Sequence, residues 1–270
     1  MGLMTSSYSE MAPRRELRPW VRLLWRYHDD APSRAVQRIP SDGCPELIVH
    51  LGEPYEEQLA DGGFVRQPRV ILAGQMTRPL VLRAAGPVNC VGLRFEPDGA
   101  ADWFGEPMEA ATDRRVDVSS RIDGAGQTPE DWFELLQDAV AAVLRSKDWP
   151  LDKDVRADAK RLETGEPSPA LSATERRRMQ RLYARRVGIS PRMLQSVFRF
   201  RKVFDHAADA DWLSAALEAG YFDQPQMARD FRRFLGCTAS EWAREQVELA
   251  RSVSAPRRAR TRQERSEPSR

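Results

Sequence analysis

The chain has 270 residues, 41% of them apolar, with a formal net charge of +2. That composition can fill one large core or two modest ones, and it excludes a chain that is a polycation throughout. Three scattered cysteines, none in a C-x-x-C pair, exclude a disulfide framework and a zinc knuckle, and no run of about 18 apolar residues offers a membrane span.

The charge is unevenly placed. Residues 1–165 carry 21 basic and 27 acidic side chains, a net of −6. Residues 166–250 carry 14 and 11, a net of +3, and residues 251–270 carry 7 and 2, a net of +5. An acidic front and a basic rear suggest a sensing domain joined to a nucleic-acid-binding one. Met1 to Pro13 lacks the apolar stretch of a secretory leader, so the expected location is the cytoplasm.

The front is expected to be mostly β. Glu46–Leu51, Val70–Ala73, Leu80–Leu82 and Val88–Phe95 are short β-favouring runs, bounded by turn signals such as Ser41-Asp42-Gly43 and Gly86-Pro87. Val91, Leu93 and Phe95 alternate with Gly92 and Arg94, which predicts one face in the core and one elsewhere. Thr128-Pro129-Glu130 is a cap, first-position and first-turn signature for a helix carrying Trp132, Leu135, Leu136, Ala139, Val143 and Leu144 on one side. Evenly spaced short strands predict a small barrel or sandwich.

Asp42-Gly43-Cys44-Pro45-Glu46-Leu47-Ile48, and Val91 to Pro97 followed by Gly99 and Trp103-Phe104-Gly105, resemble a cupin-like sensor domain found ahead of helical DNA-binding domains. The resemblance implies a β-barrel that takes a small-molecule effector. Trp25, Tyr27, His50 and Arg94 are the candidate effector residues. Trp20, Trp25 and Tyr27 read more simply as core aromatics, and Arg94 as a partner for a carboxylate. A metal cupin gathers two or three histidines with an H-x-H pair, whereas this chain has three histidines and no such pair. Its best pairing, Glu46 with His50 on one strand face, reads more simply as a strand-end histidine and a carboxylate that ties down the Asp42-Gly43 turn. No His/Asp constellation is readable in the sequence around Cys44 or Cys90. Neither a catalytic site, a metal nor a cofactor is expected.

The rear is expected to be helical from about residue 151. A first helix ends near Leu162. Gly165, Pro167 and Pro169 then leave little room for a helix before Thr174, with Ala170–Ala173 as a possible remnant. Thr174 is taken as the cap of a helix running to about Arg186, with Met179, Leu182 and Tyr183 inward and Arg177, Arg181 and Ala184 opposite. Ser190 and Pro191 then cap and open a long helix burying Leu194, Val197, Phe198 and Phe204. From Thr174 to Lys202 there are ten Lys/Arg and one acidic residue, Glu175.

A shorter helix, Trp212 to Ala219, leads to Gly220, where a positive φ would make a tight turn. Asp223 caps the next helix and Gly236 stops it. Met227, Phe231, Phe234 and Leu235 recur at helical spacing and face inward, leaving Pro225, Gln226, Arg229, Arg232 and Arg233 outward. A helix, a glycine turn and a basic second helix form a helix-turn-helix, whose second helix enters a DNA major groove.

Gly220-Tyr221-Phe222-Asp223-Gln224, then Met227-Ala228-Arg229-Asp230-Phe231-Arg232-Arg233 and Gly236-Cys237-Thr238, resemble the second helix-turn-helix of the AraC/XylS family of bacterial transcription regulators. That family continues with proline where this chain has Ala239. Arg178 to Tyr183 with Val187 to Pro191 is similar to the family's first recognition helix and its exit turn. The resemblance implies an α+β chain: a β-rich effector or dimerisation domain (1–150), then an all-α domain with two helix-turn-helix units joined by a long helix (151–250). A disordered basic tail (251–270) follows.

Double-stranded DNA is therefore the expected partner. Gln226 and Arg229 are placed to reach base edges, with Pro225 in apolar contact, and Arg177 and Arg181 are the first unit's readers. Arg232, Arg233, Arg185 and Arg199 are assigned to phosphates. Two recognition helices would enter successive major grooves roughly 34 Å apart. Two other classes compete: an interaction module whose reduced first unit binds DNA weakly or without sequence preference, and a cupin enzyme with a basic appendage.

Overall fold

The computed structural model describes residues 6–122, 124–146, 152–207 and 212–245. They form a β-rich region followed by a helical one. The strands are β1 (Ser7–Met11), β2 (Val21–Asp29), β3 (Gln37–Ile39), β4 (Glu46–His50), β5 (Glu56–Gln58), β6 (Phe64–Arg66), β7 (Val70–Ala73), β8 (Leu80–Arg83), β9 (Val88–Phe95) and β10 (Arg115–Asp117). They make two antiparallel sheets, ordered β1-β2-β9-β4-β7-β10 and β3-β8-β5-β6. The helices are α1 (Ala101–Phe104), α2 (Pro129–Ser146), α3 (Lys153–Thr164), α4 (Ala173–Arg186), α5 (Pro191–Ala207), α6 (Trp212–Glu218) and α7 (Gln224–Leu235).

Alternation decides the two faces of the larger sheet. Leu47 and Val49 of β4, with Val91, Leu93 and Phe95 of β9, are buried in a core with Trp103 of α1 and Trp132, Phe133 and Leu136 of α2. Glu46, Ile48 and His50, with Cys90 and Arg94, instead face a cavity whose other wall is Gln37, Ile39, Leu80 and Leu82 of the smaller sheet. Gly92 has a specific use here. A Cβ on it would lie 2.2 Å from the indole of Trp25, so only glycine lets that ring lie flat across β9.

Helices α3 to α7 share a second core, built around Tyr183, Leu194, Val197, Phe200, Phe231 and Phe234. The rings of Phe231 and Phe234 pack on Phe200 at 5.1 and 5.0 Å. The two regions are joined by buried pairs and close backbone approach. Asp102 and Asp98, both fully buried, pair with Arg186 and Arg156. Burial pushes the Asp98 carboxyl above the usual carboxylate range despite Arg156. The Thr112 hydroxyl donates to the Gly188 carbonyl at 2.8 Å. Gly43 sits at φ 82 against Phe198 and Leu194 of α5.

Two expectations are corrected and one is met: the segment from Gly165 to Ser172, where little room for a helix was expected, contains none, so the first unit lacks the element that would make it a complete helix-turn-helix. Gly165 ends α3 at φ 84, and the prolines that follow favour extended chain. The cap of α4 is Ser172, not Thr174: its hydroxyl accepts from Glu175 N while the Glu175 carboxylate accepts from Ser172 N. Glu46 does not tie down the Asp42-Gly43 turn. Asp42 does so by accepting from Cys44 N at 3.0 Å, and Gln75 by donating to the Gly43 carbonyl at 2.8 Å. At the other end, Ala239 opens a helix over residues 239–245 without proline, because Thr238 and Glu241 form a reciprocal cap. Residues 246–250, the 251–270 tail and the side chain of Phe204 lie outside the described residues.

Candidate nucleic-acid interface and ligand cavity

Helix α7 is assembled as its residues suggest. Gly220 turns at φ 84, Asp223 accepts from Gln226 N at 2.7 Å, and Gly236 closes the helix at φ 70. The Gln226 side chain returns the favour by accepting from Phe222 N at 3.1 Å, so it is half-buried and shared between capping and the surface. Phe231, Phe234 and Leu235 are fully buried, while Pro225, Arg229, Arg232 and Arg233 are exposed.

One predicted contact changes role. Arg199 Nη2 donates to Asp230 at 3.0 Å and its guanidinium lies 4.7 Å over the Tyr221 ring. The Tyr221 hydroxyl donates to the same Asp230 oxygen at 2.9 Å. Burial, then Asp230, pushes that phenol well above its usual range. Arg199 thus locks α5, the turn and α7 together rather than standing open to a phosphate. Sequence reasoning missed this triad because its members are 9 to 31 residues apart and none has a local signature.

Sequence reasoning also missed Arg192 and Gln195, exposed in the first turns of α5. With Ser196, Gln226, Arg229 and Arg233 they line a polar cleft between α5 and α7. The signal was available, since both lie just beyond the Ser190 cap. On α4, Arg177, Arg181 and Arg185 are exposed, and Arg177 and Arg181 border a shallow depression with Thr174, Gln180 and Ala184. Their neighbours are committed elsewhere: Arg178 to Asp154 at 2.9 Å, and Arg186 to Asp102.

The β-rich region holds the second site. Trp25, Tyr27, His50 and Arg94 all line one cavity of about 360 Å³ between the two sheets. Trp20 is separate and packs against the core on the sheet's other face. At one end of the cavity His50 Nδ1 lies 3.3 Å from Cys90 Sγ, with Tyr55 edge-on to the imidazole at 6.1 Å. Burial lowers the His50 pKa to about 4 and raises that of Cys90 to about 12, so both are neutral near pH 7. At the other end Arg94 Nε is held by Glu46 at 2.6 Å and Asp42 at 3.2 Å. Burial raises the Glu46 pKa, and Arg94 opposes it. Arg201 of α5 reaches this end from the helical region. Tyr55, Cys90 and Arg201 were not foreseen. Among the described residues no cluster of three His, Cys, Asp or Glu side chains has metal-site geometry, and no helix is long and apolar enough to cross a membrane.

No curated protein matches the chain. A family model described as a domain of unknown function, DUF6597, matches residues 9–117, most of the two-sheet region. Among solved structures, the crystal structure of ToxT from Vibrio cholerae O395 is similar at 9% identity, covering 80% of this chain and 95% of that one. Its TM-score is 0.43.

Proposed function

We propose that this chain is a sequence-specific DNA-binding transcription regulator of the AraC/XylS kind, responding to a small molecule taken up by its β-rich domain. The observation that carries the reading is α7. It is capped at both ends, buried along one face, and turns Arg229, Arg232 and Arg233 outward, with the half-buried Gln226, Arg229 and Arg233 beside Arg192 and Gln195 in one cleft. A helix fixed this firmly, with a glutamine and arginines on its free face, suits the major groove, where glutamine pairs with adenine and arginine with guanine. In this reading the protein is not an enzyme, needs no cofactor, works in the cytoplasm, and pairs with a second copy through its β-rich domain.

Two contacts support communication between cavity and helix. Gln37 and Ile39 of β3 line the cavity, while Arg38 between them donates to the Leu235 carbonyl at the end of α7 at 2.9 Å. Arg38 also meets Glu245 at 3.2 Å. A ligand that shifts β3 therefore acts on the C-terminal end of the reading helix.

The test is selection of sites from random duplex DNA by the purified protein near physiological salt. A motif of two short blocks, about one helical turn or 34 Å apart, is the expected result if α4 and α7 both read bases. One short block means that α4 grips the backbone alone. The second reading, an interaction module with weak and sequence-blind DNA affinity, is favoured by the missing helix between α3 and α4. It predicts no enriched motif and a steep salt dependence.

A further inference from the structure

We infer that the ligand of the β-domain cavity is an uncharged, mostly apolar molecule of roughly bicyclic aromatic size, carrying one hydroxyl or carbonyl that meets His50 Nε2. The inference rests on the effector-responsive reading above and specifies its ligand. Three observations carry it.

The first is shape and lining. About 360 Å³ lies at the small end of the ~300–1,000 Å³ typical of ligand pockets. Most of the wall is aromatic or aliphatic: Trp25, Tyr27, Tyr55, Ile48, Ile71 and Leu82. Flat rings such as Trp25, which Gly92 allows to lie down on the sheet, suit a planar guest.

The second is the state of the charges. Arg94 is already shared by Glu46 and Asp42, and Arg115 Nε is bound to Glu57 at 2.8 Å. Arg201 stands with Asp42 and Arg94 at the same end. The three cations, Arg94, Arg115 and Arg201, are thus matched in number by Asp42, Glu46 and Glu57, although Arg115 Nη1 is left without a hydrogen-bond partner. A carboxylate ligand would have to displace Glu46 or Asp42 from Arg94, and an ammonium ligand would have to displace Arg94 from them. Either exchange leaves a buried charge without its partner, which is costly.

The third is a polar group left over, beside the donors Trp25 Nε1 and Arg115 Nη1. His50 is 2% exposed, and its Nε2 has no hydrogen-bond partner within ordinary geometry. Gln67 is the polar neighbour on that side: its amide nitrogen is given to Glu57 at 3.1 Å, and its amide oxygen, outside ordinary hydrogen-bond geometry, raises the His50 pKa against burial. A neutral imidazole nitrogen offers either a lone pair or an N–H, depending on its tautomer. A single hydroxyl or carbonyl satisfies it, and burying such a nitrogen unpaired is unfavourable.

Equilibrium binding of three matched probes to the full chain, without DNA, tests the inference: 2-naphthol, 2-naphthoate and 2-naphthylmethylammonium at pH 7. The expected result is saturable binding of 2-naphthol, with both ions at least about tenfold weaker. Binding of either ion as tight as 2-naphthol overturns it, and so does failure of 2-naphthol to bind. In His50→Phe, 2-naphthol should weaken several-fold while naphthalene, which has no polar group, holds its affinity. Equal loss of both would remove His50 from the site. The three-probe comparison needs no variant, so it stands even if His50→Phe folds poorly. Because DNA is absent, failure here leaves the operator selection untouched. A failed selection likewise leaves the cavity's preference measurable.

Discussion

Helices α4 and α7 were expected to do the same work, yet they are held in different ways. Helix α7 is fixed mainly from within the helical domain: Phe231 and Phe234 on Phe200, and Asp230 on Arg199 and Tyr221. Helix α4 packs on α3 but lacks a short helix between the two. Its Tyr183 hydroxyl donates to Asp158 at 2.7 Å, but its C-terminal end leans on the β-rich region through Arg186–Asp102 and Thr112–Gly188. A reading helix can be built into its own domain or braced by a neighbour. This chain does one of each: the β-rich region touches α7 at its last turn through Arg38 but gives α4 a buried ion pair, so losing that region's support should loosen α4 more than α7.

The harshest way to break that comparison is Arg186→Ala. Asp102 is fully buried, and removing its partner strands a carboxylate, which costs about 3–5 kcal/mol. Urea unfolding of the full chain measures it. A loss below about 1 kcal/mol would mean that the brace contributes little and that α4 is as self-supporting as α7.

Acid probes the same difference more gently. His50 titrates near 6.5 when unfolded and near 4 when buried, so the unfolded chain binds the extra proton between those values. Its contribution to stability is complete above about pH 6.5 and is lost as pH falls toward 4. From pH 7.5 to 5 the wild type should lose about 2 kcal/mol more than His50→Phe. Hydrogen exchange in α4 should quicken over this window before exchange in α7 does. Simultaneous loosening would show that the β-rich region braces both helices equally.

How far the sequence foretold these arrangements depended on whether the cause was local. Strands β7 and β9 and helix α7 were legible, because alternation, caps and glycine stops lie inside them. The four cavity residues were legible as chemistry, and β-sheet alternation then turned Trp25, Tyr27, His50 and Arg94 to one side. Strand β2 was hidden by Arg22, Arg26 and Asp29, whose charges mask its pattern. Strand β5, Glu56-Glu57-Gln58, has little β-propensity and is held by partners far along the chain, Arg83 and Arg115. Arg199 looked like a free cation for the same reason, since Asp230 is 31 residues away.

At the DNA surface the comparison becomes one of specificity. Arg229→Ala should cost roughly 1–3 kcal/mol at the preferred site and relax preference at one base pair. If α4 only grips the backbone, Arg181→Ala should weaken all sequences alike and lower the salt slope by about one. Binding titrations against the selected site, at several salt concentrations, separate the two. A loss of base preference in Arg181→Ala would restore α4 as a second reader.

The smallest effect concerns where α4 begins. Thr174 precedes the arginine run and looks like a cap, but three residues on stands Arg177, which cannot accept a hydrogen bond. Ser172 has Glu175 at that spacing, and the two satisfy each other's backbone N–H. Ser172 also has the extended backbone of a cap, ψ 164, whereas Thr174 is already inside the helix. Ser172→Ala should therefore cost about 1 kcal/mol. Thr174→Ala should do the reverse, stabilising by a few tenths of a kcal/mol, because a β-branched residue gives way to the best helix former. Two alanine substitutions, two positions apart, are expected to carry opposite signs in urea unfolding. The same sign for both would put the start of α4 back at Thr174 and lengthen the extended segment that replaces the missing helix.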